Sequence, residues 1–142
     1  MNEGLKLEKQ LCFPLYAAAK EVVRRYRPLL DPIGLTYTQY ITMMAMWEHK
    51  RLTVKELGEL LLLDSGTLTP LLKKMETKGW IRRERNDIDE RKVTVSLTTS
   101  GEELHDTVAQ VPVKMRQCVT LDSSEAIELH RLLHKLLQTL KD

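Results

Sequence analysis

The chain has 142 residues, 42% of them hydrophobic and 30% charged, with a formal net charge of +2, which describes one globular domain able to bury its own core. No apolar run approaches membrane-spanning length and the N-terminus lacks a signal-peptide core, so a cytoplasmic protein with no membrane partner is expected. Two widely separated cysteines, Cys12 and Cys118, argue against a structural disulfide framework.

Leu11, Leu15, Ala18, Val22, Tyr26, Leu29 and Ile33 recur at i, i+3, i+4 and predict one long amphipathic helix from Leu5 to about Ile33. Pro14 would kink its first turns, and Pro28 and Pro32 make its far end irregular. Thr36 caps a second helix, Tyr37 to Glu48, with Tyr40, Met43, Met44 and Trp47 inward as ordinary core. Thr53-Val54-Lys55-Glu56 is a capping box that opens a short helix through Leu61. After Leu63, Asp64 or Ser65 caps a further helix; Leu68, Leu71, Leu72 and Met75 form its buried stripe and Gly79 stops it. The opposite face carries Ser65, Thr67, Thr69, Lys73 and Lys74. Short hydroxyls followed by cations suit a helix that reads base edges in the major groove while its flank holds phosphates. A short helix, a tight turn and such a second helix make a helix-turn-helix.

Next comes a hairpin. Val93, Val95 and Leu97 alternate with Thr94 and Ser96, Ile81 to Arg85 is the partner strand, and Asn86 to Glu90 is the turn. Arg82, Arg83, Arg85, Arg91 and Lys92 crowd its arms, so cations gather between Lys73 and Lys92 although Glu76, Glu84, Asp87, Asp89 and Glu90 dilute them. Taken alone, the ribbon also suits a solvated basic hairpin beside a core helix. Coming after the helix pair, it completes a winged helix-turn-helix, a DNA-binding layout.

Beyond the wing, Thr98 or Ser100 starts a helix with Leu104, Val108 and Val111 inward; Pro112 interrupts it, and helix continues through Met115 and Cys118. Asp122 or Ser123 caps the last helix, where Leu129, Leu132, Leu133, Leu136, Leu137 and Leu140 form one leucine stripe. The stripe must be covered, by intrachain packing or, more simply, by a second copy of the chain. The expected fold is mainly α: a winged helix-turn-helix with a two-stranded β wing and long terminal dimerisation helices. It is a single domain over 1–142, with the DNA-binding lobe at 36–98 and dimerisation helices at 1–35 and 99–142. A symmetric dimer suits a palindromic operator with half-sites roughly 34–36 Å apart.

Asp89-x-Arg91, five residues, then Leu97-Thr98-x-x-Gly101 resembles the wing signature of the MarR family of winged-helix repressors. Leu11-Cys12-Phe13-Pro14-Leu15-Tyr16-Ala17, Gly34-Leu35-Thr36-Tyr37-x-Gln39-Tyr40 and Leu63-Asp64-Ser65-Gly66-Thr67-Leu68-Thr69-Pro70-Leu71 are similar to its OhrR branch, thiol-based sensors of organic hydroperoxides. The resemblance covers nearly the whole chain. It implies that Ser65, Thr67 and Lys74 face the major groove and that Arg91, held by Asp89, reaches an A·T-rich minor groove, where the potential is most negative. Asp64, Thr69, Lys73, Arg83 and Arg85 complete the expected DNA-binding set.

The resemblance also makes Cys12 the peroxide-reactive thiol, with Tyr26 and Tyr37 as its partners. Tyr26 lies fourteen residues beyond Cys12, roughly 21 Å along a helix, so the two can meet only across a dimer of antiparallel first helices. Attack by the thiolate on a peroxide would leave a sulfenic acid. Cys118 occupies the region where one group of these sensors keeps a resolving cysteine; it could equally be inert, with a small thiol capturing Cys12. Read without the resemblance, Cys12 is a small buried hydrophobe.

Other functions compete. A thiol peroxidase would use a reactive cysteine but would need no basic wing, and there is no C-x-x-C motif. A MarR-type repressor could instead be released by a phenolic ligand in the dimer cleft. A metal trigger would draw on His130 and His134, with His105 or His49, although histidines beside a leucine stripe are more often solvated. No Ser-His-Asp triad, P-loop or paired-carboxylate site is evident, and neither enzymatic activity nor a cofactor is expected.

Overall fold

A computed structural model describes residues 1–141 and divides the chain into two compact units, one ending at Val111 and one beginning at Pro112. In the first, α1 runs from Cys12 to Leu30, and the residues before it form single 3-10 turns at Glu3–Leu5 and Leu7–Lys9. The expected start at Leu5 is therefore too early. Asn2 caps the first turn through the Gly4 N–H (2.8 Å), and the Gln10 amide donates back to the Gly4 carbonyl (2.6 Å). Such local side-chain bonds compete with helix propagation. Nor does Pro14 kink the helix. It is the third residue of α1, where an N–H would have no partner within the helix. Gly34, left-handed at φ 85°, ends the 3-10 turn Asp31–Ile33 that follows.

Thr36 caps α2 (Tyr37–His49) in a capping box with Gln39. The buried arc of α2 is centred on Met43 and Met46, both fully buried, and includes Thr42, whose hydroxyl donates to the Thr38 carbonyl (2.7 Å). Met44, expected inward, is exposed. Apolarity alone put it inside; the true arc is rotated toward Thr42 and Gln39, polar residues that hydropathy leaves out. Strand β1 (Arg51–Thr53) leads into α3 (Val54–Leu61), capped by the Thr53–Glu56 box. Leu62 ends α3 in the left-handed region (φ 57°), and Asp64 then caps α4 (Ser65–Thr77).

Strands β2 (Ile81–Arg85) and β3 (Val93–Leu97) form the wing, with Arg83 opposite Val95. The wing has the two strands expected, and the sheet has a third that was not: β1 pairs with the other edge of β3, in the order β1-β3-β2. Three residues are too few to show alternation. The core is made by Leu57, Leu68, Leu72, Met75, Ile81 and Val95, packed against Met43 and Met46.

Thr98 caps α5 (Thr99–Val108) and its hydroxyl donates to the Gly79 carbonyl (2.6 Å). The Trp47 indole N–H donates to the Gly101 carbonyl (2.9 Å), pinning α5 to α2. Helix α6 spans Val111–Cys118. In the second unit, α7 (Ser123–Leu140) opens with an Asp122–Glu125 capping box. Leu129, Leu132, Leu137 and Leu140 of its stripe stand exposed.

Candidate functional site

The exposed face of α4 has two flanks. Ser65, Thr69 and Lys73, four residues apart, turn toward the wing and line a groove of about 1210 Å³ with Arg83, Arg85, Arg91 and Lys92. Thr67 and Lys74 are exposed on the other flank. Between the flanks lie Gly66 and Pro70, both exposed, which keep the outermost ridge of the helix low. Asp64 sits at the helix start, its carboxylate accepting from the Thr67 N–H (2.7 Å). That bond holds the carboxyl below its usual range, so it stays anionic as a cap.

The cations of the wing are not equivalent. Glu76 of α4 accepts from the Arg83 backbone N–H (2.9 Å) and from its Nη2 (3.1 Å) and Nε (3.3 Å). These bonds, the backbone N–H foremost, hold the Glu76 carboxyl below the ordinary range. Arg83 therefore ties the wing to α4, with its charge already partnered. Arg85 donates to the Glu90 carbonyl across the wing (2.9 Å). At the tip, the Asn86 side chain accepts from the N–H groups of Ile88 (2.8 Å) and Asp89 (3.1 Å), and Lys92 N–H donates to the Asp89 carbonyl (3.0 Å). Asp89 accepts from the Arg91 N–H (3.1 Å) and Nε (3.3 Å), yet the Arg91 side chain is 93% exposed. It is a positioned but solvent-facing cation.

Cys12 is the first residue of α1 and is exposed. Tyr26, near the other end of that helix, meets Tyr37 edge-on (ring centroids 4.9 Å) and Tyr40 (5.4 Å). A cleft of about 280 Å³ opens beside them, lined by Val23, Arg27, Leu30 and Leu35. Burial first, then the neighbouring Tyr37, raises the Tyr26 phenol above its ordinary range, and burial foremost pushes Tyr40 up to about 12. Both are neutral hydroxyls at physiological pH. Cys118, the last residue of α6, is also exposed. The fold brings Tyr26 and Tyr37 together, and α1 sets Cys12 roughly 21 Å along its axis from Tyr26 of the same chain.

His130 and His134 stack at 4.1 Å, and His105 packs edge-on against Trp47 (5.2 Å). Among the described residues no three metal-ligating side chains converge, and no helix is long and apolar enough to cross a membrane.

The family model for the SarA/Rot transcriptional regulators matches residues 24–108. Over 138 residues the chain is 46% identical to the organic hydroperoxide resistance transcriptional regulator of Bacillus subtilis, covering 97% of this chain and 94% of that one. The chain belongs to the SarA/Rot family of MarR-type winged-helix regulators. This regulator superposes on reduced, DNA-bound AbfR of Staphylococcus epidermidis with a TM-score of 0.83 at 33% identity, covering 98% of this chain and 95% of that one. The disulfide form of AbfR superposes less closely, at 0.68 with 95% of each chain covered. A MarR mutant of E. coli in complex with operator DNA matches at 0.76 and 30% identity, over 89% of this chain and 93% of that one.

In the regulator, two groove-lining cations escaped the sequence reading of the site. Lys55 lies inside the Thr53–Glu56 capping box and Lys92 among the other charges of the ribbon; both line the groove facing α4. Tyr40, read as core, also touches the tyrosine pair. Its i+3 spacing from Tyr37 was the available signal.

Proposed function

We propose that this regulator is a redox-sensing repressor: as a homodimer it binds an inverted-repeat, A·T-rich operator and releases it when an organic hydroperoxide oxidises Cys12. The observation that carries the reading is the separation on α1 of an exposed thiol at one end from a tyrosine cluster at the other. Two α1 helices running antiparallel across a dimer axis bring each Cys12 to the tyrosines of the other copy. The exposed leucines of α7, with Leu11, Phe13, Leu15 and Val22 of the α1 region, supply apolar surface for that dimer.

In the chemistry, Tyr26 and Tyr37 donate hydroxyls that favour the thiolate and then the leaving oxygen. The Cys12 sulfur attacks the peroxide; an S–O bond forms, the O–O bond breaks, and the alkoxide leaves as an alcohol after taking a proton. Cys118 of the partner copy then displaces water from the sulfenic acid to give an intersubunit disulfide. AbfR exists in both reduced, DNA-bound and disulfide forms, which supports this route. Each thiol is consumed once and not turned over, as in a cytoplasmic sensor and unlike an enzyme. On DNA, Ser65, Thr67 and Thr69 reach base edges, Lys73, Lys74 and Arg85 hold phosphates, and Arg91 enters the minor groove.

Fluorescence anisotropy with an A·T-rich inverted repeat tests the reading. Wild type is expected to release the duplex after stoichiometric organic hydroperoxide while Cys12→Ser stays bound. After peroxide, wild type is expected to give a dimer band on non-reducing gels and Cys118→Ser to give none. If wild type and Cys12→Ser both stay bound after peroxide, the thiol is not the trigger.

A further inference from the structure

At the wing tip, Ile88 is 98% exposed, more so than any other large apolar side chain beyond Met1. A β-branched hydrocarbon in that position contributes nothing to the fold. Nor is it on a loose loop: its own N–H is bound by the Asn86 side chain, and the Asn86 N–H donates to the Lys92 carbonyl (2.8 Å), closing the tip. The chain thus orders a loop in order to present an apolar group to solvent.

The charges around it narrow what that group can meet. Asp87 and Asp89 flank Ile88, so the tip itself is a poor site for a phosphate, whereas Arg85, Arg91 and Lys92 lie just behind it on the arms. A surface with cation-binding rims and an apolar interior fits this arrangement. The minor groove of double-stranded DNA is such a surface, with phosphates along its edges and deoxyribose C–H groups along its walls. At A·T pairs its floor lacks the guanine 2-amino group, leaving depth for a branched side chain.

We infer that Ile88 is a DNA-contacting residue of the wing: it packs against the sugar walls of the minor groove beside Arg91 and adds to the preference for A·T pairs there. The inference rests on the DNA-binding reading above. It assigns the tip a contact that is independent of charge, because Ile88 neutralises no phosphate and releases no counterion.

The experiment compares wild type, Ile88→Ser and Arg91→Ala. Each is titrated at several salt concentrations against an inverted-repeat duplex and against one with G·C pairs at the wing positions. Circular dichroism melts verify folding, which a 98% exposed side chain leaves intact. Ile88→Ser is expected to bind the A·T duplex roughly five- to tenfold more weakly, with an unchanged salt slope and a reduced A·T preference. Arg91→Ala is expected to lower the slope by about one. Affinity within twofold of wild type, a changed slope, or an unaltered A·T preference in Ile88→Ser each overturns the inference. If Arg91→Ala weakens binding and Ile88→Ser does not, only the inference fails. If wild type binds neither duplex, the DNA-binding reading fails with it.

Discussion

Replacing Gly101 by alanine isolates the contact that fixes α5 beneath the wing. A Cβ on Gly101 would lie 2.2 Å from the Trp80 carbonyl oxygen and 2.8 Å from Leu97 Cδ1. An ordinary C···O approach is about 3.3 Å, so α5 must retreat by about 1 Å. The retreat strains the Trp47–Gly101 bond (2.9 Å) and the Thr98 cap (3.0 Å). Overpacking costs about 1–3 kcal/mol and a weakened, half-buried hydrogen bond about 1 kcal/mol. Alanine's helix propensity returns about 1 kcal/mol. The net is a destabilisation of about 1–3 kcal/mol, or a fall in melting temperature of roughly 3–12 °C for a chain of this length. Circular dichroism melts at a fixed protein concentration, with tryptophan fluorescence from Trp47 and Trp80 as a second probe, read the effect. An unchanged or higher melting temperature would refute the reasoning, because without the clash the propensity gain alone would stabilise.

Two predictions concern pH. Glu76 has its carboxyl lowered by Arg83, so the stability it contributes is full above the ordinary carboxylate range and is lost as pH falls through its folded-state value. Wild type should therefore lose melting temperature in acid more steeply than Glu76→Gln; parallel profiles would remove the tie between α4 and the wing as the cause. Tyr40, pushed up to about 12, stabilises fully below its ordinary value of 10.0 and loses that contribution as pH rises through 12. Tyrosinate absorbance should show a late-ionising phenol that disappears in Tyr40→Phe, and its persistence would place the late titration elsewhere.

The DNA-reading half of the chain was legible because its signals are local. Both wing strands, the Thr36 and Thr53 caps and the Leu68–Met75 stripe each depend on residues a few positions apart, whereas Asp64 or Ser65 and Thr98 or Ser100 stayed open as caps until the Thr67 and Gly101 N–H groups chose Asp64 and Thr98. What escaped depends on distant partners. β1 exists because β3 offers it an edge, and Met44 faces out because α2 is rotated toward neighbours that lie elsewhere in the chain. Arg83 belongs to the DNA-binding set expected from the sequence, and its partner Glu76 lies seven residues earlier on another element. Gly101 is the converse case: the motif marked it, and the Trp80 carbonyl explains why no side chain fits there.

The placing of β3 between two partners leaves the sheet with two free edges, and neither invites another strand. β1 is only three residues long and runs directly into α3, so it presents little backbone to pair with. β2 is longer, but Arg82, Arg83, Glu84 and Arg85 are charged, and a second copy laid alongside would set arginine against arginine. The charges that suit the wing to a polyanion thus also keep it from adding strands to itself.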